Sequence, residues 1–176
     1  MALEFINQTS ISSGVVTQDV DNVFSSDYKI YFIQINGLYH NVDINNGVEG
    51  IRFINSSGSV ISSTSYAYCS FNMGSAGSAF GNSNTNSQNY LWLGQFTDQQ
   101  SDGSSNTSFY VFDPNPSTYT FVSGEGIGGN SGDTMVGERV TGVLKSDTSI
   151  RGFQLYESNS ARTFGGGEIF VYGLSE

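Results

Sequence analysis

The sequence predicts an all-β chain folded as an antiparallel β-sandwich, on three observations. No window places apolar residues at i, i+3, i+4 and i+7 between helix start and stop signals. The composition is that of strands and turns, with 13 Phe, 10 Tyr and 22 Gly but only two prolines, Pro114 and Pro116. Aromatics favour strands, and glycine favours turns. Short apolar-alternating segments recur at fairly even spacing. At 176 residues the chain is long enough to bury a core and short for two domains.

Taken in order, strands are expected near 10–24 (one strand or two short pieces), 28–36, 48–55, 58–72, 90–97, 106–113, 117–124, 134–145, 149–157 and 167–174. Turn chemistry separates many of them: "INGL" at 35–38, "NNGV" at 45–48, "NSSGS" at 55–59, "SDGSSN" at 101–106 and "DPNPS" at 113–117. In these, glycine tolerates positive φ while Asn, Asp and Pro initiate turns.

Two polar stretches interrupt the pattern, "GSAGSAFGNSNTNSQN" at 74–89 and "GEGIGGNSGD" at 124–133. Neither can bury much apolar surface, so both are expected as surface loops, where binding tends to sit. For the first, a binding role and a plain connector are both open. Residues 1–9 are read as an N-terminal arm ahead of a single sandwich domain at 10–176. Its apolar Leu3, Phe5 and Ile6 do not suit a free tail. They suit an assembly arm docked on its own sheet or on a neighbour. The chain closes on "GGGEIFVYGL", with Ile169 and Val171 on one face and Phe170 and Tyr172 on the other. A strand apolar on both faces is expected in the middle of a sheet, and the glycines before it allow a close backbone approach.

Charge excludes several partners. Six basic residues face sixteen acidic ones, a formal charge of −10. With no basic cluster, neither a nucleic-acid groove nor binding to anionic membrane is expected. No apolar run approaches the roughly 20 residues that span a bilayer as a helix. The opening "MALEFINQTS" lacks the basic and apolar regions of a signal peptide.

Chemistry-bearing motifs are weak. Cys69 is the single cysteine, so no intrachain disulfide and no thiolate cage form, and a small buried core residue is expected. "GEGIGG" at 124–129 matches a dinucleotide fingerprint but lacks the helix that holds the pyrophosphate. His40 is the only histidine and is expected in a surface loop. A histidine-rich metal site is excluded by count, and no Gly-x-Ser-x-Gly elbow or calcium loop occurs. No cofactor or metal is expected. Carboxylate pairs available to a glycosidase are Asp19 with Asp21, Asp98 with Asp102, and Glu138 with Glu157. Aromatics that could stack on sugars are Tyr66, Tyr68, Tyr90, Trp92 and Tyr119. For Trp92 in "YLWLGQF", a core strand is the preferred reading.

Four segments carry a family resemblance: "VFSSDYKIYFIQINGL" (Val23–Leu38), "GIRFINSSGSV" (Gly50–Val60), "SIRGFQLYESNSARTFGGG" (Ser149–Gly167) and "GGEIFVYGL" (Gly166–Leu174). The first resembles the opening of many small tailed-phage virion proteins, where a short F-x-S-x-Y-D-x-Y-K/R-I stretch runs into a strand and a turn. The last resembles their closing G-x-I-x-L/V-Y-G-L/I strand. Between Thr64 and Gly142 the match is one of character. The family comprises tail-fibre, tail-associated and head-decoration proteins. The resemblance implies a jelly-roll-like antiparallel β-sandwich with no catalytic residues.

The expectation is therefore a non-enzymatic phage virion structural protein, made in the host cytoplasm and placed on the outer surface of the particle. A capsid decoration or cement protein is the first reading. A receptor-binding, glycan-binding tail-fibre or tail-associated module is the alternative, and a polysaccharide depolymerase the third. Expected partners are further copies of the chain, as a trimer, together with other virion proteins such as the major capsid or tail proteins. Host surface glycans are partners under the alternative.

Overall fold

The structure, a computed structural model, describes residues 2–42, 48–75, 80–94, 96, 104–115, 119–130 and 134–175. It is all β. In chain order the strands are β1 (Ala2–Ser10), β2 (Thr17–Val20), β3 (Ile30–His40), β4 (Glu49–Asn55), β5 (Tyr66–Gly74), β6 (Phe80–Gln88), β7 (Leu91–Gly94), β8 (Ser105–Phe112), β9 (Thr120–Asn130), β10 (Thr134–Leu144), β11 (Ile150–Glu157) and β12 (Phe164–Ser175). No helix occurs among the described residues.

Two antiparallel sheets form. The large one runs β1-β12-β3-β8-β9-β10-β5-β6, and the small one runs β2-β11-β4-β7. The pairings nest: β1 with β12, β2 with β11, β3 with β8, and β4 with β7. That nesting is a long antiparallel hairpin rolled across two sheets, which is the jelly roll. The β12–β3 and β11–β4 pairings close the roll. Two inserted hairpins, β5–β6 and β9–β10, widen the large sheet from four strands to eight.

Alternation builds the core. On β3, Tyr31, Ile33 and Ile35 are buried, while Phe32, Gln34 and Asn36 take the other face. Ile169 and Val171 of β12, Phe109 and Val111 of β8, Ile51 and Phe53 of β4, and Phe153 and Leu155 of β11 complete the interior. The Phe109 and Phe153 rings meet edge-on at 6.0 Å across the sandwich. Gly167 has φ +133°, and an added Cβ would lie 2.9 Å from the Leu38 backbone. The glycines before β12 therefore serve the close approach of β12 to β3.

Several expectations change. Residues 2–10, expected as an arm docked on its own sheet or on a neighbour, do dock on their own sheet, as strand β1 paired with β12. The stretch 74–89, expected as a loop, holds edge strand β6. The stretch 124–133 is not a loop either, since its first seven residues continue β9. Residues 76–79 and 131–133 lie outside the described residues. The glycines of "GEGIGG" alternate, and the Phe96 ring lies against the positions a Cβ would take on Gly126 and Gly128. A strand thus carries a glycine-rich sequence because a neighbouring ring fills the missing side-chain space. "INGL" is not a turn but an irregularity inside β3, with Gly37 at φ +63°. "NSSGS" does turn, with Asn55 Oδ1 accepting from the backbone N–H of Ser57 and Ser59. Most of "NNGV" and parts of "SDGSSN" and "DPNPS" lie outside the described residues. β12 is second from an edge rather than central, and because the sandwich has two layers only its Ile169–Val171 face is sealed.

Candidate functional site

The two outer faces of the sandwich differ in kind. On the small sheet no large apolar residue of the described strands is exposed, and several outward side chains pair within the chain. Arg151 binds Asp21 through Nε at 2.8 Å, Gln154 donates to Asp19 at 2.8 Å, and the Arg52 guanidinium sits 3.5 Å over the Tyr156 ring. The Arg151 guanidinium holds the Asp21 carboxyl below its usual range.

The large sheet turns apolar residues outward. Leu3 is 55% exposed, Phe5 61%, Phe121 53% and Phe80 68%, and Phe71, Met73, Tyr110, Ile127 and Met135 are exposed as well. Register arranges them. Phe5 stands opposite Tyr172, Tyr172 opposite Phe32, and Phe32 opposite Tyr110. The ring centroids are 5.9, 6.2 and 5.0 Å apart along this row. Phe112 extends it, 6.1 Å from Tyr110. The row continues through Ser123, Thr141 and Cys69 to Asn84, so it runs from aromatic to small and polar across the sheet. Side chains on alternate positions share a face, which is what aligns the ladder.

Of the arm residues Leu3, Phe5 and Ile6, the first two lie on this outer face. Ile6 packs against the core. Ile6 turns inward by ordinary strand alternation, and the bulge after Phe5 then places Asn7 opposite inward Val171. Cys69, expected in the core, is exposed on the same face. β5 alternates with Tyr66, Tyr68 and Ser70 turned inward, which leaves Cys69 outward, its Sγ 3.1 Å from Thr141 Oγ1.

The proposed sugar-stacking aromatics divide. Tyr66 is fully buried and Tyr68 nearly so, which removes both from a stacking platform. The Tyr66 hydroxyl accepts from Phe53 N–H at 2.8 Å and donates to the Ile61 carbonyl at 2.9 Å, and burial pushes its pKa up. Tyr90 and Trp92 are half-buried and cluster with Tyr68 and Tyr156 at 5.6–6.4 Å. Burial, the largest cause, pushes the Tyr90 phenol up to about 12. Trp92 is neither core nor free surface: its indole N–H donates to Glu138 at 2.6 Å. Tyr119 is exposed and stands apart from this cluster.

A shallow groove of about 510 Å³ opens on the outer face of the large sheet, lined by Gln34, Asn36, Ser108, Glu125 and Arg139, with Met73 and Ile127 as apolar walls. It lies beside the aromatic row, one register position along: Gln34 faces Ser108, Ser108 faces Glu125, and Glu125 faces Arg139.

His40 is not in a surface loop. It ends β3 inside the sandwich, where it meets Glu49 of β4, Glu157 of β11 and Arg162 of the following loop, all at most 2% exposed. Arg162 Nη2 lies 2.8 Å from His40 Nδ1. His40 Nε2 lies 3.2 Å from Glu157, and Arg162 Nη1 3.4 Å from the same carboxylate. A guanidinium only donates, so His40 Nδ1 accepts and the ring proton sits on Nε2, facing Glu157. The cluster ties three strands and a loop at one end of the roll. Sequence reading missed it, because four residues distant in the chain signal nothing by spacing.

Among the described residues, the paired carboxylates are engaged within the chain. Asp19 and Asp21 are held by Gln154 and Arg151. Glu138 joins Trp92, and Glu157 the buried cluster. Asp98 and Asp102 lie outside the described residues. Among the described residues no group of three or more His, Cys, Asp or Glu is placed to hold a metal ion.

No family model matches the chain, and no curated protein matches it. Among solved structures, a leech intramolecular trans-sialidase is similar at 6% identity and a TM-score of 0.33, covering 100% of this chain and 27% of that one. Arcelin-5, a lectin-like defense protein from Phaseolus vulgaris, is similar at 8% identity and a TM-score of 0.25, with 90% and 77% covered. The VP2 subviral particle of infectious bursal disease virus gives 9% identity and a TM-score of 0.15, with 98% and 40% covered. Likenesses this distant carry no argument, and the fold rests on the strand order itself.

Proposed function

We propose that this chain is a non-enzymatic structural protein of a tailed-phage virion, a decoration or cement module mounted on the outer surface of the capsid as a homo-oligomer, with a trimer the expected form. The observation that carries the reading is the contrast between the two outer faces. A monomer rarely exposes large contiguous apolar patches, and those it does expose mark interaction surfaces. Here an aromatic row crosses four strands of one sheet while the opposite sheet presents internally paired polar groups. Such a module covers its apolar face in an assembly and leaves its polar face to water. The family resemblance of Val23–Val60 and Ser149–Leu174 supports the virion setting.

A tail-borne, glycan-binding module is the second reading. It is favoured by the groove of Gln34, Asn36, Ser108, Glu125 and Arg139, whose donors and acceptors suit sugar hydroxyls. Quantitative mass spectrometry and immunogold labelling of purified particles separate the readings. Label over the head, with a copy number that follows the capsid lattice, is expected. Label confined to the tail supports the second reading, and absence from the particle overturns both.

A further inference from the structure

We propose that the outer face of the eight-stranded sheet is the contact surface for a second copy of this chain. This rests on the assembly reading above and names the partner.

Charge selects the occupant. The row Phe5, Tyr172, Phe32 and Tyr110 carries no ionised group; in the rows beside it Glu168 accepts from Gln8, and Glu125 stands directly opposite Arg139. The formal charge of −10 therefore lies mostly elsewhere. Two such chains repel wherever their acidic surfaces approach. On this face the ionised groups are few and the large side chains apolar, so two copies meet there with little repulsion. A basic partner gains most from the acidic surface elsewhere, so this sparsely charged apolar face fits a partner of the same charge.

Area agrees. Eight strands at about 4.8 Å spacing make a face about 38 Å wide. With about 20 Å of strand length it offers an area on the order of 800 Å², the share each partner contributes to a standard interface. The edges are less suited. The β1 edge carries the bulge between Phe5 and Asn7, and β6 reads FGNSNTNSQ, mostly short polar side chains. Irregular edges are a common defence against strand addition. The chain thus joins by a face rather than by continuing a sheet.

Sedimentation of the full chain over a range of concentration, at low and at high salt, tests this. Association that holds or strengthens at high salt is expected, because screening weakens the repulsion and leaves the apolar contact. A dimer or a trimer both fit a face contact. Phe5→Thr with Tyr110→Thr, which keeps strand propensity at two exposed positions, is expected to weaken association tenfold or more. Asp19→Asn, on the small sheet, is expected to leave it unchanged. Circular dichroism and melting establish that each variant is folded. A wild type that stays monomeric at every concentration overturns the proposal, as does a folded double variant that associates like the wild type. A monomer that still mounts on particles overturns the self-contact alone. A chain that self-associates but is absent from particles overturns the virion reading alone.

Discussion

Arg162 donates a hydrogen bond to Nδ1 of His40 at 2.8 Å, with both side chains sealed between the sheets. The arrangement places a permanent cation between the buried carboxylates of Glu49 and Glu157. Removing one partner of a buried ion pair leaves the other charged and desolvated, at a cost of about 3–5 kcal/mol. Arg162→Met is therefore expected to lose that much stability in urea denaturation. A loss below about 1 kcal/mol contradicts the assigned role.

Tyr66 supplies a second buried device. Its hydroxyl is the hydrogen-bond partner of Phe53 N–H on β4. Tyr66→Phe keeps the ring and strands that donor, and an unsatisfied buried group costs about 1–3 kcal/mol. A lowered denaturation midpoint with an unchanged slope is expected. An unchanged midpoint shows that water reaches Phe53 N–H.

Alkaline stability follows from Tyr90. An unperturbed phenol titrates near 10, and burial pushes Tyr90 up to about 12. A folded-state value above the unfolded one stabilises the fold while the group is neutral. That contribution is complete below about pH 10 and is lost as pH rises towards 12. The melting temperature is expected to fall across this window, and Tyr90→Phe to flatten the fall. An identical profile in the variant contradicts the assignment.

The jelly roll was legible because its strands alternate. Tyr31, Ile33 and Ile35, or Ile169 and Val171, announce a buried face by period alone. β6 and the second half of β9 were hidden by composition. FGNSNTNSQ has few apolar residues to alternate, and GEGIGG leaves its inner positions empty for a ring, that of Phe96, which the sequence places some thirty residues earlier. The buried cluster was hidden for a related reason. His40, Glu49, Glu157 and Arg162 look like surface residues one by one, and only the β3–β12 and β4–β11 pairings bring them together. The arm was half legible. Leu3 and Phe5 signalled a surface needing cover, but their pairing with β12 depends on a register that no local pattern specifies.

The last strand separates core from surface. Ile169 is fully buried and pairs with Ile35, while Phe170 points to the half-covered outer face. Ile169→Ala is expected to cost about 2–5 kcal/mol. Phe170→Ala is expected to cost the monomer clearly less and to weaken association instead. Truncation before Ile169 removes the partner of both β1 and β3, and insoluble or unfolded protein is expected. Equal losses for the two alanine variants contradict the facing of β12.

In the proposed assembly the apolar outer face of the eight-stranded sheet is buried, with the polar face of the four-stranded sheet outward. A cryo-electron microscopy map of the intact particle, at a resolution that separates strands, measures this directly. The row of Phe5, Tyr172, Phe32 and Tyr110 is expected packed against a neighbouring protein, with Arg151 and Gln154 facing solvent. A map in which the eight-stranded face lies open to water while the four-stranded face is covered contradicts it.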